Sequence, residues 1–162
     1  VYMSQYSPND GWEYLKTRFG IDRERVPYRL EKVNGDLWLV SEQMDDFLQP
    51  ETKGIRAVRC MDIGLKPTTY LLQLLEDAID QNKVELDEDE FKDLLDGSMI
   101  EREMDEKGYV ALSFRGKIYG CGLYKDELVS SRIPKGRAQE LLEIIKNLWT
   151  EISMRCVLMR RL

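Results

Sequence analysis

The stretch at residues 108–136, GYVALSFRGKIYGCGLYKDELVSSRIPKG, constrains the fold more than any other part of the chain. Apolar and polar residues alternate on either side of Arg115-Gly116-Lys117, which predicts two strands joined by a tight turn. A third strand is predicted around Leu128-Val129, after a turn at Lys125-Asp126. Gly116, Gly120 and Gly122 punctuate this pattern. Glycine inside a strand weakens it unless the backbone bends or another segment comes close. The spacing therefore predicts tight bends and a bulge in a small curved sheet.

The segments before it carry clear local signals. SPNDGWEYLKTRFG reads as a short helix, with Ser7 or Asn9 as cap, Pro8 in the first turn, Gly20 as stop and Trp12, Leu15 and Phe19 on one face. YRLEKVNGDLWLVSE predicts a hairpin closed by Asn34-Gly35, with apolar residues on both faces of its second strand. GIRAVRCMDIG predicts a strand, with Ile55, Ala57 and Arg59 on one side and Arg56, Val58 and Cys60 on the other. KPTTYLLQLLEDAIDQN gives the clearest helix signal, with Pro67 near its start and Leu71, Leu72, Leu75, Ala78 and Ile79 as the buried stripe. Asp87 caps a short helix bearing Phe91, Leu94 and Leu95, which Gly97 stops. RAQELLEIIKNLW closes the pattern as an amphipathic helix with Leu141, Ile144, Ile145 and Leu148 on one face.

A chain of 162 residues fits one ordinary domain or two small lobes. The boundaries read as a lobe at 1–83 and a second at 84–162, with one continuous domain as the alternative. No apolar run approaches the roughly 20 residues that span a bilayer, and the start lacks a signal-peptide layout, so the expectation is a cytoplasmic protein away from membranes. Three cysteines without a CxxC pair read as reduced thiols. Histidine is absent, which excludes His-based triads and His metal ligands.

The net charge of -6 is unevenly spread. Residues 84–110 hold 3 Lys+Arg and 11 Asp+Glu, whereas residues 111–162 hold 10 and 5. At physiological salt the Debye length is about 8 Å, so such patches act almost independently. The acidic run fails as a calcium loop because Phe91 takes a ligand position and the central glycine is missing. It reads as the solvated face of a short helix. Cys60 and Cys121 sit among apolar strand residues, where thiols pack, and no glycine-rich loop offers a cofactor cradle.

The segment at 129–138, VSSRIPKGRA, is the remaining candidate, with three cations and no acid. Lys135 and Gly136 directly precede or open a helix, so their N–H groups suit a phosphate, with Lys135, Arg137 and Arg132 adding charge. Arg115 and Lys117 on the neighbouring hairpin extend the patch, and Tyr119 and Tyr124 offer stacking surface. An ordinary solvated turn fits the same spacing.

The ordered series YLKTRFGI, YRLEKVNGDLWLVSE, GIRAVRC, KPTTYLLQLL, DEDEFKDLLDGSMI and the glycine-spaced block resembles the PUA-like RNA-binding domain at the carboxyl end of Sun-type RNA cytosine-5 methyltransferases. Gly120, Gly122, Pro134, Lys135 and Gly136 stand at the matching places of its Gly-x-Gly exit and Pro-Lys-Gly corner. The resemblance implies an α+β fold, a PUA-like small curved β-barrel with flanking helices, that holds structured RNA (rRNA or tRNA). It brings no catalysis: the methyltransferases' Pro-Cys and Thr-Cys contexts are missing at Cys60, Cys121 and Cys156. It implies a non-catalytic, cofactor-free module of rRNA or tRNA modification or ribosome assembly, binding through Arg115, Lys117, Arg132, Lys135, Gly136 and Arg137. A separate RNA-modifying enzyme or a ribosomal protein is the further expected partner. The alternative is a protein-interaction adaptor that uses its acidic or C-terminal helix.

Overall fold

A serine and an aspartate three residues apart open the first helix. In the computed structural model, which describes residues 5–42 and 54–160, Ser7 Oγ accepts the Asp10 N–H while the Asp10 carboxylate accepts the Ser7 N–H at 2.8 Å. This capping box opens helix α1 (Pro8–Phe19), and Gly20, at φ 72°, closes it. Trp12, Leu15 and Phe19 are buried, as the periodicity predicts. Strands β1 (Tyr28–Val33) and β2 (Asp36–Ser41) form the expected hairpin, with Asn34 and Gly35 both at positive φ.

Strand β3 (Gly54–Met61) joins β2, and β4 (Gly64–Pro67) completes a four-stranded antiparallel sheet. The strict alternation expected along β3 is broken. Leu37 faces Val58 and Trp38 faces Arg56, so Ala57 is an extra residue and both Ala57 and Val58 enter the core. The helix expected from residue 67 is also shorter. Pro67 ends β4 opposite Val58, Thr68 caps helix α2 (Thr69–Leu74), and a 3-10 turn follows at Glu76–Ala78. Outside bonds override helix propensity here: the Glu76 carboxylate accepts the Ile118 N–H at 2.9 Å, and Asp80 donates its N–H to the Phe19 carbonyl at 3.1 Å.

The second sheet holds β5 (Lys83–Leu86), β6 (Ile100–Glu101), β7 (Gly108–Phe114), β8 (Lys117–Lys125) and β9 (Leu128–Ser131). Its order is β5-β7-β8-β9-β6, curled into a half-barrel. β5 runs parallel to β7, and neither β5 nor the short β6 is signalled by sequence. The predicted bulge is present: Leu112 faces Gly120 and Ser113 faces Ile118, leaving Tyr119 extra. The β8–β9 turn falls on Asp126-Glu127, both at positive φ, one residue later than expected.

Helix α3 (Glu88–Leu95) opens with a second capping box, Asp87 with Glu90. Helix α4 (Lys135–Arg160) packs against α3 and runs longer than predicted. Leu141 and Ile145 are buried, but Ile144 and Leu148 are 50% and 47% exposed, because the helix leaves the body after Ile145. Arg161 and Leu162, the end of the tail, lie outside the described residues. Among the described residues no helix is long and apolar enough to cross a membrane.

Each face of the second sheet belongs to a different core. Val110, Leu112, Phe114 and Val129 pack with α3 and α4, whereas Ala111, Ile118 and Cys121 pack with α1, β2, β3 and α2. Arg18 ties the halves together: its Nε donates to the Tyr109 carbonyl at 2.7 Å and its Nη1 to the Glu106 carbonyl at 3.2 Å.

Candidate nucleic-acid interface

Two glycines let the basic corner sit where it does. A Cβ on Gly120 would stand 2.4 Å from Ile133 Cγ1, so Ile133 lies directly on the β8 backbone. A Cβ on Gly122 would meet the Ser130 carbonyl and Leu112 at 2.9 Å, so β9 and the neighbouring side chain close in there. Ile133 carries the chain back along β8 towards Lys117, and Pro134 then turns it into α4. The Ala138 N–H bonds the Pro134 carbonyl at 2.9 Å, leaving the amides of Lys135, Gly136 and Arg137 as first-turn donors without a partner among the described residues. Gly120 and Lys117 are three residues apart, about 10 Å along a strand. The corner and the β7–β8 turn therefore share one end of the sheet.

They also share a face. Lys117 and Phe114 are register partners, and the Arg115 guanidinium stands 5.1 Å from the Phe114 ring centroid. Tyr119, half-buried, rests on Phe91 and Phe114 with centroids 5.2 and 6.3 Å away. Arg115, Lys117, Lys135 and Arg137 are all exposed, the last two on the first turn of α4. Arg137 bonds Glu140 one turn along at 3.2 Å, a surface pair that leaves it available. Among the described residues Arg115, Lys117 and Lys135 have no carboxylate at ion-pair distance.

Two expected members are elsewhere. Arg132 donates its N–H to the Cys121 carbonyl at 2.8 Å, and Ile133 takes the α3/α4 side. Strand alternation turns the Arg132 side chain to the opposite face, the one that packs with α1 and the first sheet. Tyr124 is buried, and its hydroxyl accepts the Met104 N–H at 3.1 Å, so it offers no stacking surface. Sequence spacing missed Phe91 and Phe114, which support Tyr119 and Arg115 from below; their only signal was an aromatic on each of two predicted elements.

The acidic run is more engaged than a solvated face. Asp87 caps α3, Glu88 pairs with Lys92 at 3.3 Å, and Glu90 pairs with Arg102, which holds the Glu90 carboxyl below its usual range. Local negative potential is thereby reduced beside the cationic end. Burial pushes the Cys121 thiol up to about 12, which removes it as a nucleophile near neutral pH. Cys60 is half-buried, and Cys156 is exposed on the projecting part of α4.

Residues 81–139 match the sequence profile of the methyltransferase RsmF PUA domain. That span takes in every strand of the second sheet, α3 and the first turn of α4. The ribosomal RNA small subunit methyltransferase F of Psychromonas ingrahamii is 27% identical over 138 residues, covering 76% of this chain. The match spans 27% of that relative's own length. The second sheet with its helices is thus similar to the PUA-like domain carried by Sun-type methyltransferases.

Proposed function

We propose that the PUA-like domain of this chain holds structured RNA, rRNA or tRNA, at the cationic end of its curled sheet. The carrying observation is the convergence of Arg115, Lys117, Lys135 and Arg137, exposed on one face and one end of the domain that residues 81–139 match. Phosphates are the ligands this arrangement favours, because side-chain cations stand beside unpaired amides at the positive end of a 26-residue helix. Gly136 supports the reading: a Cβ there would meet nothing within 4 Å, so packing does not demand glycine. A bare backbone at that point leaves the amides open to an anion.

The module acts in rRNA or tRNA modification or ribosome assembly and contributes RNA binding. The buried, unreactive Cys121 and the match to a PUA domain support a non-catalytic role. The chain reads as two lobes, 1–83 and 84–162, tied by the Arg18 bonds, with one continuous domain as the alternative. A protein-contact role for α4 is the second reading. Its support is the exposure of Ile152, Leu158 and Met159, at 47%, 62% and 78%, beyond the body.

Fluorescence anisotropy with a labelled rRNA hairpin, across a salt series, tests the main reading. Each neutralised phosphate contributes a slope of about -0.9 in log K against log salt. The Lys135→Glu, Arg137→Glu double variant should bind more than about tenfold weaker, with a shallower slope. Unchanged affinity in a folded variant would move the site away from the corner. Failure of the unmodified chain to bind at low salt would favour the protein-contact reading.

A further inference from the structure

A second group of cations lies where the two lobes meet. Arg59 on β3 and Lys66 on β4 are register partners in an antiparallel ladder, so their side chains leave one face side by side. Directly opposed like charges destabilise a sheet. The neighbouring Arg56 is matched by Asp36 at 3.7 Å, but among the described residues Arg59 and Lys66 have no carboxylate at ion-pair distance. Lys66 instead reaches over to the second lobe, its Nζ 5.7 Å from the Tyr109 ring centroid. Arg132 arrives from the other lobe, turned off the α3/α4 face and exposed. Lys66, Arg132 and Arg18 are brought close from distant parts of the chain, since all three act electrostatically on the Cys121 thiol, and Arg59 stands beside Lys66 as its register partner. Behind them, the Nη2 of Arg18, itself 8% exposed, has no hydrogen-bond partner among the described residues. The seam thus gathers positive charge from both lobes, with the Glu106 carboxylate acting only on Arg18 behind it among the described residues.

We propose that this seam is a second phosphate-binding surface for the same RNA, with Arg59 and Lys66 of the first lobe and Arg132 of the second contacting its backbone. The inference rests on the RNA-binding reading above and extends it to a path across both lobes. Arg132 is the link, because it is three residues from Lys135 in sequence yet faces the seam. Neutralising phosphates would relieve the opposed Arg59 and Lys66 charges. Lys66 covers the Tyr109 ring, so the surface reads backbone charge and not bases.

The test is RNA affinity and its salt slope for Arg59→Gln with Lys66→Gln, measured on the full chain with the same hairpin. About a tenfold loss is expected, with a slope shallower by about two phosphates' worth. The melting temperature without RNA should hold or rise, since the opposed charges are gone. Arg132→Gln, on an exposed residue, gives a fold-independent second variant with a smaller loss, and Lys66→Arg should retain affinity. A control, Lys16→Gln with Lys146→Gln, removes two exposed cations elsewhere and should change affinity less than about twofold. Seam variants that bind like the unmodified chain, while the Lys135, Arg137 reversal loses binding, would overturn the seam and leave the corner standing. An equal loss in the control would also overturn it, as a net-charge effect. No binding by the unmodified chain would remove the RNA reading itself.

Discussion

The two faces of the second sheet differ in how they are built. The face under α3 and α4 is local: its cations, from Arg115 to Arg137, come from one hairpin and the turn that follows it. The face on the first lobe is assembled from far apart, with Arg18 bonding the Tyr109 carbonyl across 91 positions. The difference teaches why one cationic surface is legible as a segment and the other is not. It also makes the sheet a shared element, so that a change on one face is felt by a different core from a change on the other.

The sharpest way to break this picture is to cut the tie between lobes. Arg18→Met removes both bonds to second-lobe carbonyls from a buried position. Urea unfolding should show a loss of about 2–4 kcal/mol. A loss below about 0.5 kcal/mol would mean that the seam holds without it.

The α3/α4 face is tested by its glycine contacts. Gly120→Ala drives a methyl into Ile133 and should cost about 1–3 kcal/mol. Adding Ile133→Ala should recover part of that loss, measured as a positive coupling in a double-mutant cycle. Gly122→Ala meets the backbone carbonyl of Ser130, so no single side-chain truncation should rescue it fully. Equal rescue at both sites would contradict the distinction.

A smaller effect separates the acidic helix from the RNA face. Glu90→Gln removes the charge of the Arg102 pair while a glutamine can still accept the Asp87 N–H, and should cost about 1 kcal/mol at pH 7. The Glu90 pKa is lowered in the folded state, so its contribution is complete above the carboxylate's unfolded pKa and is lost as pH falls through the folded one. The gap between variant and unmodified chain should therefore close in acid and stay constant above pH 6. Smallest of all, Gly136→Ala should leave stability unchanged or raise it by up to about 1 kcal/mol, while weakening RNA binding. Improved stability with unaltered binding would show that the amides at the corner are not used.

Much of this fold is legible in the sequence, because its signals are short-range. Asn34-Gly35, the caps at Ser7 and Asp87, and the β8 bulge near Gly120 each follow from residues within a few positions. The failures have one cause. Pro67 sits in a strand and the helix after it stops at Leu74, since backbone bonds from Phe19 and Ile118 compete with helix propensity. Strand β5 pairs parallel with β7 across an intervening helix, a partnership that its four residues do not announce. The same limit applies to the interface. Arg115, Lys117, Lys135 and Arg137 were expected together and lie on one end and face. Arg132 was grouped with them by spacing, but a single step of strand alternation turns it to the other lobe. Lys66 and Arg59 gave no sign, because only the folded ladder and the seam set them beside Arg132.

The most direct test of the central claim is to map the RNA contact on the isotopically labelled chain by backbone amide chemical shifts during titration with a structured RNA. The largest shifts should fall at residues 115–119 and 135–137, with β6 and the Asp126-Glu127 turn unmoved. Shifts concentrated on β6 and that acidic turn, or confined to residues 146–160 of α4, would contradict RNA binding at the cationic end of the sheet.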